Sequence, residues 1–384
     1  MKHNRILNLA FILFPILFLH ACSEPHHKCL VFVGTYTGKG SEGIYAYSFN
    51  PAKGNMKPLG LVAKTENPSF ITIDSKGRFL YTVNETDSFH NKQSGAVSVF
   101  AINKESGKLT LLQQISSLGA APAHLSLDKS ARYLMVANYN GGNSVVFPVG
   151  RDGKLGEHTA FIQNTGSGPN PKRQTGPHAH YIRVTNDNLY VMIADLGIDK
   201  ILKYRFDAGN GSLFPIDSGF VKLDPGSGPR HIAFPPSGKF IYVLNELSST
   251  ITSFSYESET GRMLAKQTIS TLPKIFHGEN TAAEIALDAT GKFLYVSNRG
   301  ADNIGLFSIN SKNGSLTPVE WVSTGGETPR SFEIDPTGHW LFVANQNSDN
   351  IVLFRIDQAS GQLSQTSQTV KIVSPVCINF TLYE

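Results

Sequence analysis

Arg230 and Glu246 lie sixteen residues apart, each beside a recurring landmark: Arg230 follows a Pro, and Glu246 follows an Asn. His124, His231, Glu284, Arg299, Arg330 and Gln346 sit close to the same landmarks elsewhere in the chain, and the stretch PHAH at 177–180 adds His178 and His180, with Asp195 further on. These residue types suggest acid–base work on an anionic or carbonyl-bearing ligand. A neutral His or a Glu can take a proton from water, and a guanidinium can neutralise developing negative charge. Arg230, Arg299 and Arg330 on one surface would suit an anionic substrate, unless they pair with Glu85, Glu246 and Glu284 as a structural ring. His178-x-His180 on a strand would turn two imidazoles to one face, with His124, His231 or Asp195 near enough to complete a metal site. A pair of polar rim residues is the plainer reading, and no metal is expected. The chain has no G-x-x-x-x-G-K, and no nucleotide cofactor is expected. It has no G-x-S-x-G elbow, so a covalent serine mechanism is not expected either.

The landmarks belong to a repeat. PRHIAFPPSGKFIYVLNE at 229–246 has counterparts at 68–85, 122–139, 282–299 and 329–346, with a looser copy at 177–196. In the five closer copies the Asn falls sixteen residues after the first position, giving Asn84, Asn138, Asn245, Asn298 and Asn345. Each unit reads as a first strand (HIAF), a turn such as PPSG or DPTG, an apolar second strand ending at the Asn, and an alternating third strand (TITSFSY). A Gly turn such as NGSL or SGKL then leads to a more polar fourth strand. Four short antiparallel strands in about fifty residues make a propeller blade. Six blades are written nearly whole. CLVFVGTYT at 29–37 and GIYAYSF at 43–49 supply the second and third strands of a seventh, which lacks a first strand. PVCINF at 375–380 fills that place, so an all-β, seven-bladed ring closed by its C-terminal strand is expected over 29–384, which removes the two sheet edges that would otherwise be exposed.

This topology sets the start of each first strand beside the end of each second strand. The residues after Pro and around Asn therefore meet on one rim, around the mouth of the central channel. The Asn side chains are expected to satisfy backbone groups there, while the residues that vary between copies carry the function. Borrowing the register of other blades, Cys377 should face Phe32 and Cys29 should face Phe380. The two thiols are then three residues apart along the strands, about 10 Å, too far for an unstrained bridge, and both should be free.

The chain begins with a leader-like stretch. Lys2 and Arg5 precede an apolar run from Ile6 to Leu19, and Leu19-His20-Ala21-Cys22 resembles a bacterial lipobox. Residues 1–21 are expected to be a lipoprotein signal peptide, with Cys22 lipidated and 22–28 a tether. Ser23 after the Cys resembles outer-membrane sorting. The protein should then be exported and anchored by its lipid in the cell envelope, facing the periplasm. Removing Lys2 and Arg5 takes the formal charge from +4 to about +2, and no basic run stands out, so no nucleic-acid partner is expected. Nothing in the composition specifies an oligomeric state.

GPNPKRQTGPHAH at 168–180, DLGID at 195–199, GPRH at 228–231, NEL at 245–247, SNRG at 297–300 and ANQ at 344–346 together resemble the seven-bladed lactonase family. That family contains the propeller type of 6-phosphogluconolactonase and a fungal muconate-lactonising enzyme. The resemblance covers the chain from GTYT at 34–37 to the last strand. It implies hydrolysis of a sugar lactone, or the related closure of an acid onto an alkene. In the muconate branch active-site roles were proposed for a His, an Arg, a Glu sixteen residues later and a second Arg. His178, Arg230, Glu246 and Arg299 occupy the matching places here. A lactone is an activated ester, so its hydrolysis needs a positioned water, a base and a donor for the carbonyl oxygen. Glu246 or neutral His178 could be the base, Arg230 could hold the oxyanion, and Arg299 or Arg330 a carboxylate or phosphate. Lys172 and Arg173 could add charge, and His124, His180, Asp195, His231 and Gln346 are further candidates to line the substrate. Glu246→Gln and Arg230→Met are expected to lower hydrolysis strongly and to leave the melting temperature nearly unchanged. A non-catalytic binding propeller keeps the same fold, and export points to a lactone other than the cytosolic sugar phosphate.

Overall fold

The computed structural model of the protein describes residues 28–383. The expected signal peptide, Cys22 and the expected tether lie outside these residues, save Lys28, which already begins the first strand. The described chain forms seven four-stranded antiparallel sheets, and its only helices are two single-turn 3-10 segments, Thr37–Lys39 and Leu196–Ile198. It is a seven-bladed β-propeller. In the closing blade the strand order is Pro375–Tyr383, Lys28–Thr35, Gly43–Asn50, Asn55–Lys64, so the last strand enters on the channel side as the repeat required.

Apolar residues on the second and third strands fill the spaces between adjacent blades. One such cluster packs Tyr242, Leu244 and Ile251 of one blade against Leu294, Val296 and Phe307 of the next. The Gly turn gains its meaning from this interlock. The Tyr242 hydroxyl donates to the Gly314 carbonyl (3.1 Å), as Tyr81 does to Gly153 (3.0 Å) and Tyr295 to Gly361 (2.7 Å). Gly314 has φ 73°, and a Cβ there would lie 2.4 Å from the Phe240 ring. Glycine thus meets both a left-handed turn and a ring packed against it.

The repeated Asn residues are buried staples. Asn138, Asn298 and Asn345 donate to the carbonyls of Ser117, Thr271 and Thr324, each just past the outer strand of the preceding blade. Asn245 instead donates to the hydroxyls of Thr250 and Thr252.

The hairpin register differs from the expected one. The structure pairs His231 with Leu244, where the assumed turn gave Tyr242. The four-residue loop sits one position later than PPSG. In the equivalent hairpin the Asp288 N–H donates to the Phe293 carbonyl, and the Asp288 carboxylate takes the Phe293 N–H at 2.6 Å. The hairpin at Pro235 takes the same loop without a carboxylate, its Gly238 N–H donating to the Pro235 carbonyl (3.0 Å), and every pair shifts by two. Cys377 therefore faces Gly34, not Phe32, and Cys29 faces Leu382, not Phe380. The thiols lie five residues apart along the strands, about 16 Å. Both are free and buried, and burial pushes the Cys29 thiol up to about 12.

Candidate functional site

The rim forms as the topology demands: Pro229 pairs with Asn245, Pro122 with Asn138, Ala179 with Asp195 and Pro329 with Asn345. A bulge follows each of these pairs. Pro229 and His231 pair with consecutive partners, so Arg230 is the extra residue. Strand alternation would send Arg230 and His231 to opposite faces. The bulge instead lets both reach the axis, Arg230 above and His231 one layer below.

Glu246 is the centre of the upper layer. Its carboxylate lies 2.7 Å from Arg230, 2.7 Å from Arg173 and 3.1 Å from Arg299. Both Glu246 and Arg230 are buried. Burial opposes ionisation of Glu246, but Arg299, Arg230 and Arg173 together outweigh it and hold the carboxyl well below its usual range. A carboxylate so stabilised is a poor proton acceptor, so the geometry turns Glu246 from candidate base into the clamp for three guanidiniums. It also corrects the expectation that its loss would spare stability, because removing one partner of a buried ion pair strands the others. Burial lowers Arg299 to about 10, against the pull of Glu246.

Arg230 also donates through Nε to the Ala283 carbonyl (2.7 Å), and Arg299 shares its NH2 between Glu246 and the Ala282 carbonyl (3.2 Å). Arg330 stands across the mouth, over the Tyr36 ring at 5.2 Å and 3.6 Å from Glu85, whose other neighbour is the Tyr36 hydroxyl at 2.9 Å. Four arginines therefore face two carboxylates, and the mouth carries excess positive charge.

His178 is half-buried at the edge of this cluster. Its Nδ1 lies 3.0 Å from the Tyr139 carbonyl oxygen, and its ring stacks on Tyr139 at 4.4 Å with planes 18° apart. The Tyr139 hydroxyl accepts from Arg173 (3.1 Å), so one tyrosine joins the histidine to the arginine cluster. Asp195 is fully buried beneath. It accepts from the His178 N–H (2.7 Å), the Gly197 N–H (3.0 Å) and Asn164 (2.6 Å), and so it shapes the backbone rather than lining the mouth. Gln346 is half-buried at the rim and donates its backbone N–H to Thr328.

His124 and His231 do not reach the mouth. They sit one residue further down the inner strands, in a layer with Phe70 and Tyr181. The His124 ring lies 4.2 Å from both Phe70 and Tyr181 and 5.6 Å from His231. The His231 Nδ1 is 2.7 Å from Glu284. His180 is buried between the two layers, its Nε2 2.5 Å from Arg230 NH1. Burial holds all three imidazoles well below their usual value, with neighbouring positive charge adding to the effect, so they are neutral. Glu284 goes the other way: burial raises it to about 7. Among the described residues no group of three or more His, Cys, Asp or Glu is arranged to hold a metal ion. His178 and His180 each have a ring nitrogen engaged with protein already. Beyond the ring layer a cavity of about 690 Å³ opens on the opposite face, lined by residues that include Arg183, Glu284 and Glu333.

Tyr139 and Tyr36 were not among the sequence-derived candidates. The signal existed: Tyr139 follows Asn138 as Glu246 follows Asn245, and Tyr36 follows Thr35, which takes the Asn place in the closing blade.

The chain matches the family described as Lactonase, 7-bladed beta-propeller, over residues 30–380. It is 37% identical to a 6-phosphogluconolactonase of Bacillus subtilis over 353 residues, covering 92% of this chain and 98% of the relative. A 6-phosphogluconolactonase of Formosa agariphila is 36% identical over 78% of this chain and 85% of its own length. Among solved structures, the periplasmic gluconolactonase of Pseudomonas aeruginosa superposes with a TM-score of 0.86 at 36% identity, covering 92% of this chain and 99% of that one.

Proposed function

The chain belongs to the seven-bladed β-propeller lactonase family, and from that premise we propose that it hydrolyses a sugar lactone at the mouth ringed by Arg173, Arg230, Arg299 and Arg330. One observation carries the reading: a histidine fixed by a backbone carbonyl shares this mouth with three arginines clamped on one buried carboxylate. A carbonyl oxygen only accepts, so His178 Nδ1 carries the hydrogen, and in the neutral ring Nε2 has the free lone pair. His178 is then the base. It takes a proton from water as the water oxygen attacks the lactone carbonyl carbon. The electron pair displaced onto the carbonyl oxygen is met by Arg230 and Arg299 N–H groups, preorganised by Glu246. The tetrahedral intermediate collapses, the ring C–O bond breaks, and the imidazolium returns the proton to the departing alkoxide. The product is the open hydroxy acid. Arg330 and Arg173 are placed to hold the carboxylate as it forms.

We place the enzyme in the cell envelope, anchored by a lipid on Cys22 and facing the periplasm from the outer membrane. The leader-like start supports this, as does the periplasmic name of one relative. That location favours an unphosphorylated sugar lactone over a cytosolic sugar phosphate. The test is a pH-stat assay of purified protein against paired phosphorylated and plain aldonolactones. Turnover lost in Arg230→Met supports the site. Absence of turnover with every lactone would leave a binding propeller.

A further inference from the structure

We propose that His180 is a positioning residue, which holds Arg230 in place for the developing oxyanion and does so as the Nδ1–H tautomer. Arg230 is fixed at three points. Its Nε donates to the Ala283 carbonyl, and its NH1 reaches both Glu246 Oε2 (2.7 Å) and His180 Nε2 (2.5 Å). The carbonyl and the carboxylate would hold any cation. The imidazole adds a third direction from a neighbouring blade, and three non-collinear contacts fix the plane of the guanidinium. None of them uses NH2, which is left for a ligand.

The tautomer follows from the donor inventory. A guanidinium N–H can only donate, so His180 Nε2 must present its lone pair, and the neutral ring then carries hydrogen on Nδ1, which is buried and meets no acceptor. Burial and the adjacent Arg230 keep the ring neutral. The bulge after Ala179 brings His180 to this depth. Tyr139 and His231 wall the ring at 5.5 and 5.2 Å, so it has little freedom to turn away. His180 touches no reacting atom by this account and acts through Arg230.

The kinetic arm of the test rests on the lactonase reading. In His180→Leu, kcat should fall about 10- to 100-fold with KM little changed, the size expected when a reacting group is misplaced. His180→Gln, whose amide oxygen can accept the same N–H, should regain most of that loss. Arg230→Met combined with His180→Leu should be no slower than Arg230→Met alone, because the contact is already gone. Wild-type kcat in His180→Leu, or losses that add in full, overturns the proposal. A second measurement needs neither turnover nor that variant. Nitrogen-15 spectra of histidine-labelled wild type, assigned by difference from His180→Gln, should show Nδ1 protonated and Nε2 bare. An Nε2–H ring or an imidazolium near neutral pH overturns it. If the wild type opens no lactone, the lactonase reading falls, and these spectra still decide the role of His180.

Discussion

The His178 ring lies flat against Tyr139, 4.4 Å between centroids, while its Nδ1 meets the carbonyl oxygen of the same tyrosine. One residue thereby sets both the orientation and the tautomer of the candidate base. Replacing His178 by Ala should lower kcat by about 10²–10⁴-fold, the usual worth of a general base. The half-buried ring contributes little core, so the melting temperature should hardly move. Steady-state kinetics and a thermal melt on one preparation check this. A variant that keeps wild-type kcat removes His178 from the chemistry.

Glu246→Gln should lose both activity and stability. The neutral amide leaves Arg230 buried without a counter-charge, a class of change that costs roughly 3–5 kcal/mol. Glu246 is held below its usual range in the folded protein. Its contribution is therefore present above the unfolded value of about 4.3 and is lost as pH falls through the folded value. Urea titrations of both proteins at pH 7 should show the lowered midpoint. An unchanged midpoint would contradict the clamp.

Glu284 has the opposite sign. Burial raises it to about 7, so between about 4.3 and that value the folded state binds more protons than the unfolded one. Its effect on stability becomes less favourable as pH rises through this window and is constant above it. Glu284→Gln removes that dependence. The stability of the variant relative to wild type should rise from pH 4.5 to 7 and then level off. A flat difference curve would show that Glu284 titrates normally.

Removing residues 375–384 takes the inner strand from the closing blade. Lys28–Thr35 then loses its ladder to Pro375–Tyr383, and Val376, Cys377 and Ile378 leave the core. Because the ring is closed through this strand, the whole melt should shift down cooperatively. A truncated protein that melts with the intact one would mean that closure adds nothing.

Export gives a test of its own. An alkynyl fatty acid fed to the producing cells should label the protein at Cys22. Cys22→Ala should abolish the label and move the protein from the membrane to the soluble fraction. An unlabelled wild type would reject the anchor.

The blades and their closure were legible because the repeat is regular, down to Pro375 in the inner-strand position. The rim was legible from topology alone. Depth was not. His124 and His231 carry the same residue type as His178, yet they lie a layer below, because a bulge lets two consecutive residues face the axis. One of the three partners of Glu246 was also hidden. Arg173 comes from a long loop before Ala179–Val184, and no periodicity says where such a loop folds back. Tyr139 was missed for a simpler reason: an aromatic after the repeated Asn looks like packing until the ring is seen against His178.

The layer of Phe70, His124, Tyr181 and His231 divides the central channel. The mouth lies on one side of these tilted rings, and the cavity of about 690 Å³, which they also line, on the other. On the proposed reaction, the lactone that enters and the hydroxy acid that forms occupy the same mouth, so product must clear before the next lactone can sit. The arginines that welcome an anion would also detain the newly formed carboxylate. The open acid should therefore compete directly with its own precursor, and the pace of turnover would be set as much by departure as by bond cleavage.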